Sequence, residues 1–416
     1  MLKKHNPSSE SIGRFSADSA IVLSFIVALE IVIMISPFAG FFYAVFNPFL
    51  LALNQSSVTR WLTAFFLPHM MVPPNEILVV IRVTGSILFL GGMLVFLVCA
   101  AQVYLSKLLR RGTATKGLYV FVRHPQYVGL ALAALGLAIM WPRFLTLFLF
   151  AVMLLLYYLL AKDEERRMTK RFGNGYAAYR NRTGMFLPRP IERLFSKGPG
   201  SIEHLSAMKV AGVFAILCII VVGAGFILRA YTVHHLPVQT IHGVDVVVIT
   251  PADTATAAEL TPPVLDDTLV AAKLTALKSD GHRILAYFIP IDYVMQGMIA
   301  NTGDEWKLFQ QHKTIGMITD FILHPFAHLT GGHEHHMTNM QHGAEMYALP
   351  AMKRRVIFLE IRGEGKQLDS PFDDFDVNEE RVPLFFVDVH LHTAEILQVR
   401  DTPGGSGWGT VPTPMF

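Results

Sequence analysis

Long apolar runs separated by short polar segments dominate the first 230 residues. A helix needs about 20 predominantly apolar residues to cross a bilayer. The pattern predicts membrane spans at residues 20–46, 77–105, 127–140, 144–160 and 210–228. The third and fourth runs are short and are separated by Trp141-Pro142-Arg143, which indicates a hairpin. We therefore predict an α-helical integral membrane protein whose five spans lie within a domain of residues 1–229.

The pattern changes after residue 229, where short runs of β-branched and aromatic residues replace the long apolar ones. Such runs are typical of strands. The predicted strands are Val244–Ile249, Ile284–Ile289, Arg355–Ile361 and Leu384–Val389, and the predicted helices are Thr268–Leu277 and Glu305–Ile322. Residues 230–416 are therefore predicted to form a C-terminal extramembrane α+β domain of unknown role, a possible contact for a larger membrane complex.

Composition and charge support a membrane protein and give it an orientation. Hydrophobic residues make up 52% of the chain and charged residues only 16%, against about a quarter charged in an average soluble domain. The net charge of +3 gives no reason to expect a nucleic-acid partner. Basic residues cluster before the first span, between the second and third, and after the fourth, and such loops stay cytoplasmic. The N-terminus is therefore predicted to be cytoplasmic and residues 230–416 extracytoplasmic.

Three local patterns add detail to the membrane domain. Gly129, Ala133 and Gly136 fall on one side of the third span and permit close helix approach. The aromatic residues within Val58–Phe66 predict an interfacial helix. Glu30 and Arg82 lie inside apolar runs, where ionisable residues are candidates for function. They either pair with each other or line an acceptor pocket, or Arg82 simply extends toward water.

Two polar clusters flank the predicted hairpin. Arg123-His124-Pro125-Gln126-Tyr127-Val128-Gly129 precedes it, and Glu164-Glu165 with Phe172-Gly173, Tyr176, Tyr179, Arg182 and Pro188 follows it. A hairpin returns the chain to the side from which it left, so both clusters are expected at one membrane face. There they can bind a polar cofactor beside a lipid.

This pair of motifs resembles the superfamily of isoprenylcysteine carboxyl methyltransferases and phospholipid methyltransferases, over about residues 77–190. The resemblance implies an integral membrane enzyme that uses S-adenosylmethionine to methylate a membrane lipid or lipid-linked substrate. It also implies a cofactor pocket on the cytoplasmic side. The candidate cofactor-binding residues are Arg123, His124, Pro125, Tyr127, Gly129, Glu164, Glu165, Tyr176, Tyr179 and Arg182.

The residue types suit this cofactor on chemical grounds. An arginine can hold a carboxylate in a bidentate contact, and a carboxylate such as that of Glu165 can bind an amine or ribose hydroxyls. Aromatic faces favour a cation such as sulfonium. Alignment of the two reactants and exclusion of water supply most of the catalysis of a displacement. Arg123 and His124 are the catalytic candidates, with His124 as a general base for an amine acceptor.

Two other classes of protein stay open. Membrane sterol and enoyl reductases, which use a nicotinamide cofactor, share a similar histidine-tyrosine stretch and an ending like Tyr176 to Pro188. They typically carry an acidic residue just after the glycine, where this chain has Leu130. The third class is a non-catalytic membrane anchor or complex subunit that presents the extracytoplasmic domain.

A dense histidine stretch in the C-terminal domain is a candidate metal site. Imidazole suits zinc and copper, and the candidate ligands are His324, His328, His333, His335, His336 and His342. His390 and His392 alternate on a predicted strand, so both are expected to face one side. The alternative is a solvated polar loop whose histidines do not converge.

Overall fold

A computed structural model describes most of the membrane domain and much of the C-terminal domain. The described residues are 28–39, 41, 52–53, 56–68, 73–109, 115–195, 206–279, 283–290, 353–362 and 375–401. The helices are α1 (Ala28–Ala39), α2 (Glu76–Leu108), α3 (Pro125–Met140), α4 (Phe144–Arg182), α5 (Arg189–Phe195), α6 (Ala207–His234), α7 (Thr254–Asp266) and α8 (Thr268–Ser279). The strands are β1 (Val238–Ile241), β2 (Val244–Val248), β3 (Arg283–Pro290), β4 (Lys353–Arg362), β5 (Glu380–His390) and β6 (Ile396–Asp401).

Three of the described helices, α2, α4 and α6, are long and apolar enough to cross a membrane. Helices α1 and α3 are apolar but shorter. A helix therefore lies at each of the five predicted positions, while length and composition support three of them as spans. The count of five stays a prediction.

The chain divides into two compact units. One comprises residues 1–45, 82–140 and 146–222, and the other comprises residues 46–81, 141–145 and 223–416. The predicted domain boundary after residue 229 stays a prediction.

Glycines bring α2 and α3 into backbone contact, as the small-residue stripe of the third span predicts. A Cβ atom on Gly129 would lie 2.7 Å from the amide nitrogen of Phe96, and one on Gly92 would lie 2.5 Å from the carbonyl oxygen of Gly129. Gly136 meets Gly85 and Phe89 in the same way. Small residues let membrane helices approach this closely, so the interface fixes α3, which begins directly after His124.

Helix α4 continues far beyond the predicted end of the fourth span at residue 160. Its polar half remains helical as far as Arg182. At the start of this half, Asp163 pairs with Arg166 at 2.5 Å and with Arg167 at 3.1 Å, three and four residues later in the chain. Such pairs support a helix in water. Gly173 interrupts the helix with φ 51° and ψ −126°, a conformation that glycine adopts without a side-chain clash. The chain therefore changes direction between Glu165 and the tyrosines that follow.

The predicted interfacial helix over Val58–Phe66 is wrong. A short 3-10 helix covers Arg60–Thr63, and Phe65 and Phe66 are buried. The guanidinium of Arg143 donates to the Thr63 carbonyl and lies 4.0 Å over the Phe65 ring. A buried arginine needs such partners, and they draw this segment into packed structure.

The C-terminal region forms one six-stranded sheet in the order β1-β2-β3-β4-β5-β6. Strands β2 and β3 run parallel and are connected by α7 and α8, while the other neighbours are antiparallel. A two-residue turn joins β1 to β2 with φ of 45° at His242 and 70° at Gly243, as hairpin turns require. Apolar side chains of α7 and α8 pack on one face of the sheet around Val246, Phe288 and Phe358.

The four predicted strands and the helix predicted at Thr268–Leu277 are confirmed by β2, β3, β4, β5 and α8. The helix predicted at Glu305–Ile322 lies outside the described residues. His390 ends β5, whereas His392 lies in the following turn, so the prediction that both alternate on one strand is wrong. The backbone amides of His392 and Thr393 lie 3.4 Å from Nδ1 of His390, a contact that accompanies the chain reversal.

Candidate functional site

Backbone pairing joins the two predicted motifs. The amide of Arg123 donates to the carbonyl of Gly184 at 2.8 Å, and that of His124 donates to Met185 at 3.2 Å. Val122 and Gly184 form a β-bridge between these segments. The polar clusters before and after the hairpin therefore meet, as predicted.

Arg123 is buried and its guanidinium is occupied by the protein itself. Its Nε donates to Oε1 of Glu165 at 2.5 Å, and Nη1 donates to the carbonyls of Arg180 at 3.0 Å and Thr183 at 2.5 Å. These carbonyls belong to the last turn of α4 and the residue after it, where backbone acceptors lack helical partners. Arg123 therefore fastens the end of α4 to Glu165, so these contacts define a positioning role.

The two adjacent glutamates have different surroundings. The Glu165 side chain is 7% exposed and binds both Arg123 and Nε2 of His124, the latter at 3.3 Å. The Glu164 side chain is 39% exposed, and its Oε2 lies 3.5 Å from the Tyr127 hydroxyl and 3.6 Å from Nδ1 of His124. Glu164 is thus the member of the pair that a ligand can reach.

His124 is buried between these carboxylates. Burial lowers the pKa of His124, but the opposing effect of Glu164 and Glu165 is larger, so the net pKa is raised. Its Nδ1 is buried and has only a long contact, 3.6 Å, with Oε2 of Glu164. A buried polar atom in that state suits a bound polar group, so the atom points to a ligand position beside Glu164.

Aromatic rings form a wall next to these charges. His124 stacks on Tyr127 with centroids 5.5 Å apart, and Tyr127 stacks on Tyr157 at 4.9 Å. Phe186 lies 5.9 Å from His124 on its other side. Tyr176 and Tyr179 contact each other at 6.0 Å. The Tyr179 hydroxyl donates to the Tyr119 carbonyl at 2.7 Å, which ties the end of α4 to the segment before the motif.

Three of the predicted cofactor-binding residues have mainly architectural surroundings. Pro125 is buried at the first position of α3, where proline suits a helix start. Gly129 faces the backbone of α2, as described above. Arg182 is exposed, and its Nε donates to the carbonyl of Ala178 at 3.4 Å. The binding roles assigned to these residues stay predictions.

Residues outside the predicted set also shape the site. Tyr119 donates from its hydroxyl to Gln126 at 2.9 Å, and Thr183 supplies a carbonyl to Arg123. Tyr157 extends the aromatic wall. A signal for Tyr157 exists in the sequence, because it lies seven residues before Glu164 and therefore on the same helix face.

Glu30 pairs with a residue other than Arg82, the partner that the sequence suggested. The carboxylate of Glu30 pairs with Nζ of Lys107, near the end of α2, and both side chains are partly exposed. Lys107 also lies 5.4 Å from the ring centroid of Tyr104. Glu30 lies in the first turn of the described part of α1, and this turn lies beside the end of α2 that carries Lys107.

No group of three potential metal ligands occurs among the residues that the structure describes. The predicted ligands His324, His328, His333, His335, His336 and His342 lie outside those residues. Metal binding by this stretch stays a prediction.

Helices long and apolar enough to cross a membrane lie beside a buried cluster of charged and aromatic residues, an arrangement that suits a membrane protein. Residues 103–175 match the family model described as phospholipid methyltransferase. The resemblance is thereby confirmed for this segment, which matches a family model from the superfamily of isoprenylcysteine and phospholipid methyltransferases. The match contains both halves of the motif pair up to Gly175 and covers less than a fifth of the chain. Comparison with curated proteins and with solved structures finds no significant match.

Proposed function

We propose that the protein is an S-adenosylmethionine-dependent methyltransferase that acts on a lipophilic or lipid-linked acceptor. The family match indicates a membrane methyltransferase, and methyltransferases of this family use S-adenosylmethionine. The observation that carries the proposal is the partly exposed Glu164 carboxylate beside the buried Nδ1 of His124, inside the matched segment.

The residues of the cluster fit the groups of this cofactor. Glu164 would hold the amine or a ribose hydroxyl. His124 has a raised pKa, and a protonated Nδ1 would donate to the cofactor's carboxylate. Tyr127 offers an aromatic face, which favours a cation. This assignment gives His124 the carboxylate contact that the sequence suggested for Arg123, because the Nε and Nη1 atoms of Arg123 already donate to the protein.

When bound, the cofactor supplies an electrophilic methyl group. The chain contributes orientation, exclusion of water and fixed charges, which are the main sources of catalysis in a displacement. Arg123 holds Glu165, and Glu165 holds the ring of His124 from its Nε2 side. A protonated imidazole cannot accept a proton, so the raised pKa favours a positioning role for His124 over that of general base.

The proposed orientation follows the distribution of positive charge. The segments next to the site carry Lys107, Lys116, Lys170 and Arg171, and loops rich in such residues stay cytoplasmic. The site would then face the cytoplasm, with residues 230–416 on the opposite side.

Calorimetry on the detergent-solubilised protein tests the cofactor. Wild type should bind S-adenosylmethionine, and Glu164→Gln should bind it about tenfold or more weakly, because a lost charge-assisted contact costs about 1.5–3 kcal/mol. Asp163→Asn is the matched control, since Asp163 is the neighbouring acidic residue and pairs with exposed arginines. Its affinity should equal that of wild type.

The alternatives give different results in the same experiment. Binding of a reduced nicotinamide nucleotide in place of S-adenosylmethionine would identify a reductase. Binding of neither would leave a non-catalytic anchor. Equal affinity of wild type and Glu164→Gln would reject the assigned position of the cofactor.

A further inference from the structure

Large apolar side chains are exposed on two short segments outside the helices that are long and apolar enough to cross a membrane. One segment is the 3-10 helix Gly117–Val120 with the residue after it, and the other is α5 with the residues that lead into it. The exposed apolar residues, called the apolar rim below, are Leu118, Val120, Phe121, Leu187, Ile191 and Leu194. Exposed apolar side chains that occur in groups mark interaction surfaces, whereas single scattered ones do not.

The two halves of the apolar rim flank one stretch of backbone pairing beside the candidate site. Val122 directly follows Phe121 and forms a β-bridge with Gly184. The Tyr179 hydroxyl donates to the carbonyl of Tyr119, within the first half, at 2.7 Å. Both halves are therefore held at the start of α3, where the motif pair meets.

Helix α5 has a side fastened to the protein and a side that is open. Glu192 is buried, and its carboxylate accepts from the Met185 amide at 3.4 Å and from Arg189 at 3.1 Å. Ile191 and Leu194 are three residues apart and share a helix face, and Leu194 is 81% exposed. A helix that turns apolar residues outward and keeps its polar contacts inward suits the boundary between lipid and water.

The charge beside the apolar rim is positive. The carboxylate of Glu192, the one acidic residue in the stretches 115–124 and 182–195, is buried and paired with Arg189. The exposed cations of these stretches are Lys116, Arg182 and Arg193. Basic residues next to apolar ones are attracted to anionic lipid head groups. Charge and hydropathy together therefore fit one kind of partner, a bilayer surface that carries anionic lipids.

We propose that the apolar rim lies in the surface of the membrane leaflet next to the site, with its exposed cations among anionic head groups. Lipid acts here as a surface that holds the protein and not as a methyl acceptor. The inference is therefore independent of the proposed function.

Immersion of the apolar rim would also steady the candidate site. The carbonyls of Gly184 and Met185 accept from the amides of Arg123 and His124. No room remains between Gly184 and the residues leading into α5, because a Cβ atom on Gly184 would lie 1.7 Å from the Leu187 carbonyl oxygen. A lipid surface that fixes α5 therefore fixes the backbone that pairs with the first motif.

Spin labels on the full chain in lipid nanodiscs test the position of the apolar rim. A nitroxide is attached at Leu194→Cys, at Phe121→Cys or, as a control, at Arg166→Cys on the polar half of α4, where the native side chain is 70% exposed. Its collision rates with oxygen, which concentrates in lipid, and with a water-soluble nickel chelate are then measured. We expect an oxygen-to-nickel ratio severalfold higher at both rim positions than at Arg166.

Two results would overturn the proposal. A ratio at the rim positions as low as that at Arg166 would mean that the apolar rim faces water. Protection from both oxygen and nickel would mean that a protein, such as a second copy of the chain, covers it. Ile191→Cys, on the same face of α5 as Leu194, replaces Leu194→Cys if that variant fails to fold.

Lipid composition and charge reversal test the anionic head groups. Replacement of part of the phosphatidylcholine by phosphatidylglycerol should raise the oxygen-to-nickel ratio at Leu194, and Lys116→Glu combined with Arg193→Glu should remove this increase. Lys278→Glu combined with Lys353→Glu is the control, because it changes the net charge equally at two exposed positions of the C-terminal domain. An increase that is absent, or that survives the rim variant, would reject anionic lipid as the partner.

The spin-label measurement uses no cofactor and is therefore separate from the test of the proposed function. An immersed rim in a protein that does not bind S-adenosylmethionine would reject the methyltransferase and retain the lipid surface. Cofactor binding by a protein whose rim faces water would reject the lipid surface alone.

Discussion

Glu164 and Glu165 differ in role because successive residues on a helix point about 100° apart. That rotation aims Glu165 at the buried guanidinium of Arg123 and leaves Glu164 partly exposed beside Tyr127. Glu165 and Arg123 position the site, and Glu164 is available to a ligand. The contact of Glu165 with Arg123 therefore organises the protein, whereas the Glu164 carboxylate is the one proposed to bind a cofactor.

Loss of Arg123 should destabilise the protein. Arg123→Ala leaves Glu165 buried without its guanidinium partner, and breaking a buried ion pair costs about 3–5 kcal/mol. Thermal unfolding in detergent should show a markedly lower midpoint than wild type. Arg166→Ala is the control, because Arg166 is 70% exposed and its pair with Asp163 contributes little. Equal midpoints for the two variants would contradict the positioning role.

The sequence predicted which residues gather at the site but not how they divide the work. The spacing of the two motifs around a hairpin was enough to predict that Arg123, His124, Tyr127 and Glu164 lie close together at one membrane face. The sequence assigned the carboxylate clamp to Arg123, because the carbonyls that occupy a buried guanidinium come from the fold and carry no residue-type signal. The contact of Glu30 with Lys107 was unpredictable for a similar reason, since it depends on how α1 packs.

At the scale of elements, the contact between α2 and α3 fixes the start of the motif helix. The facing glycines leave no room for side chains, so the two backbones meet directly. Because α3 begins at Pro125, this contact also restrains His124 and Tyr127.

Gly92→Ala should therefore destabilise the helix pair. The added methyl group would meet the backbone of Gly129 and Ala133, and overpacking of this kind costs about 1–3 kcal/mol. Gly91→Ala is a matched control, because its Cβ would meet nothing within 4 Å and alanine favours the helix. Unfolding midpoints in nanodiscs should fall for the first variant and stay level or rise for the second. The reverse order would show that the helices do not pack in this way.

Hydrophobic pattern predicted the elements whose burial is uniform and missed those where it is mixed. Strands β3 and β4 are buried along almost their full length and were predicted from their apolar runs. Strand β6 has exposed positions, and β1 is only four residues long. Helix α7 contains Pro262 and Pro263, which normally argue against a helix interior. The polar half of α4 was missed because hydropathy marks the end of an apolar run, not the end of a helix.

At the scale of the whole molecule, the proposed orientation would put residues 230–416 on the extracytoplasmic side and the site on the cytoplasmic side. The basic segments beside the site favour the cytoplasm. The five predicted spans, an odd number, would then carry residues 230–416 across.

A membrane-impermeant maleimide tests this topology in right-side-out vesicles. Glu259→Cys, on the exposed side of α7, should be labelled in intact vesicles, and Lys170→Cys, on α4, only after permeabilisation. The native Cys99 and Cys218 provide little background, because both lie within apolar helices where a reactive thiolate is disfavoured. Labelling of both positions from the same side would require an even number of spans between Lys170 and Glu259, and would contradict the single span predicted there.

Transfer of the methyl group is the most direct test of the central claim. Membranes that contain the protein are incubated with S-adenosylmethionine carrying a radiolabelled methyl group, and the lipid extract is counted. Wild type and Asp163→Asn should place label in the lipid fraction, at about tenfold or more above Glu164→Gln, since the proposal assigns Glu164 and not Asp163 to the cofactor. Label no higher than in membranes lacking the protein, or label unchanged by Glu164→Gln, would contradict the account.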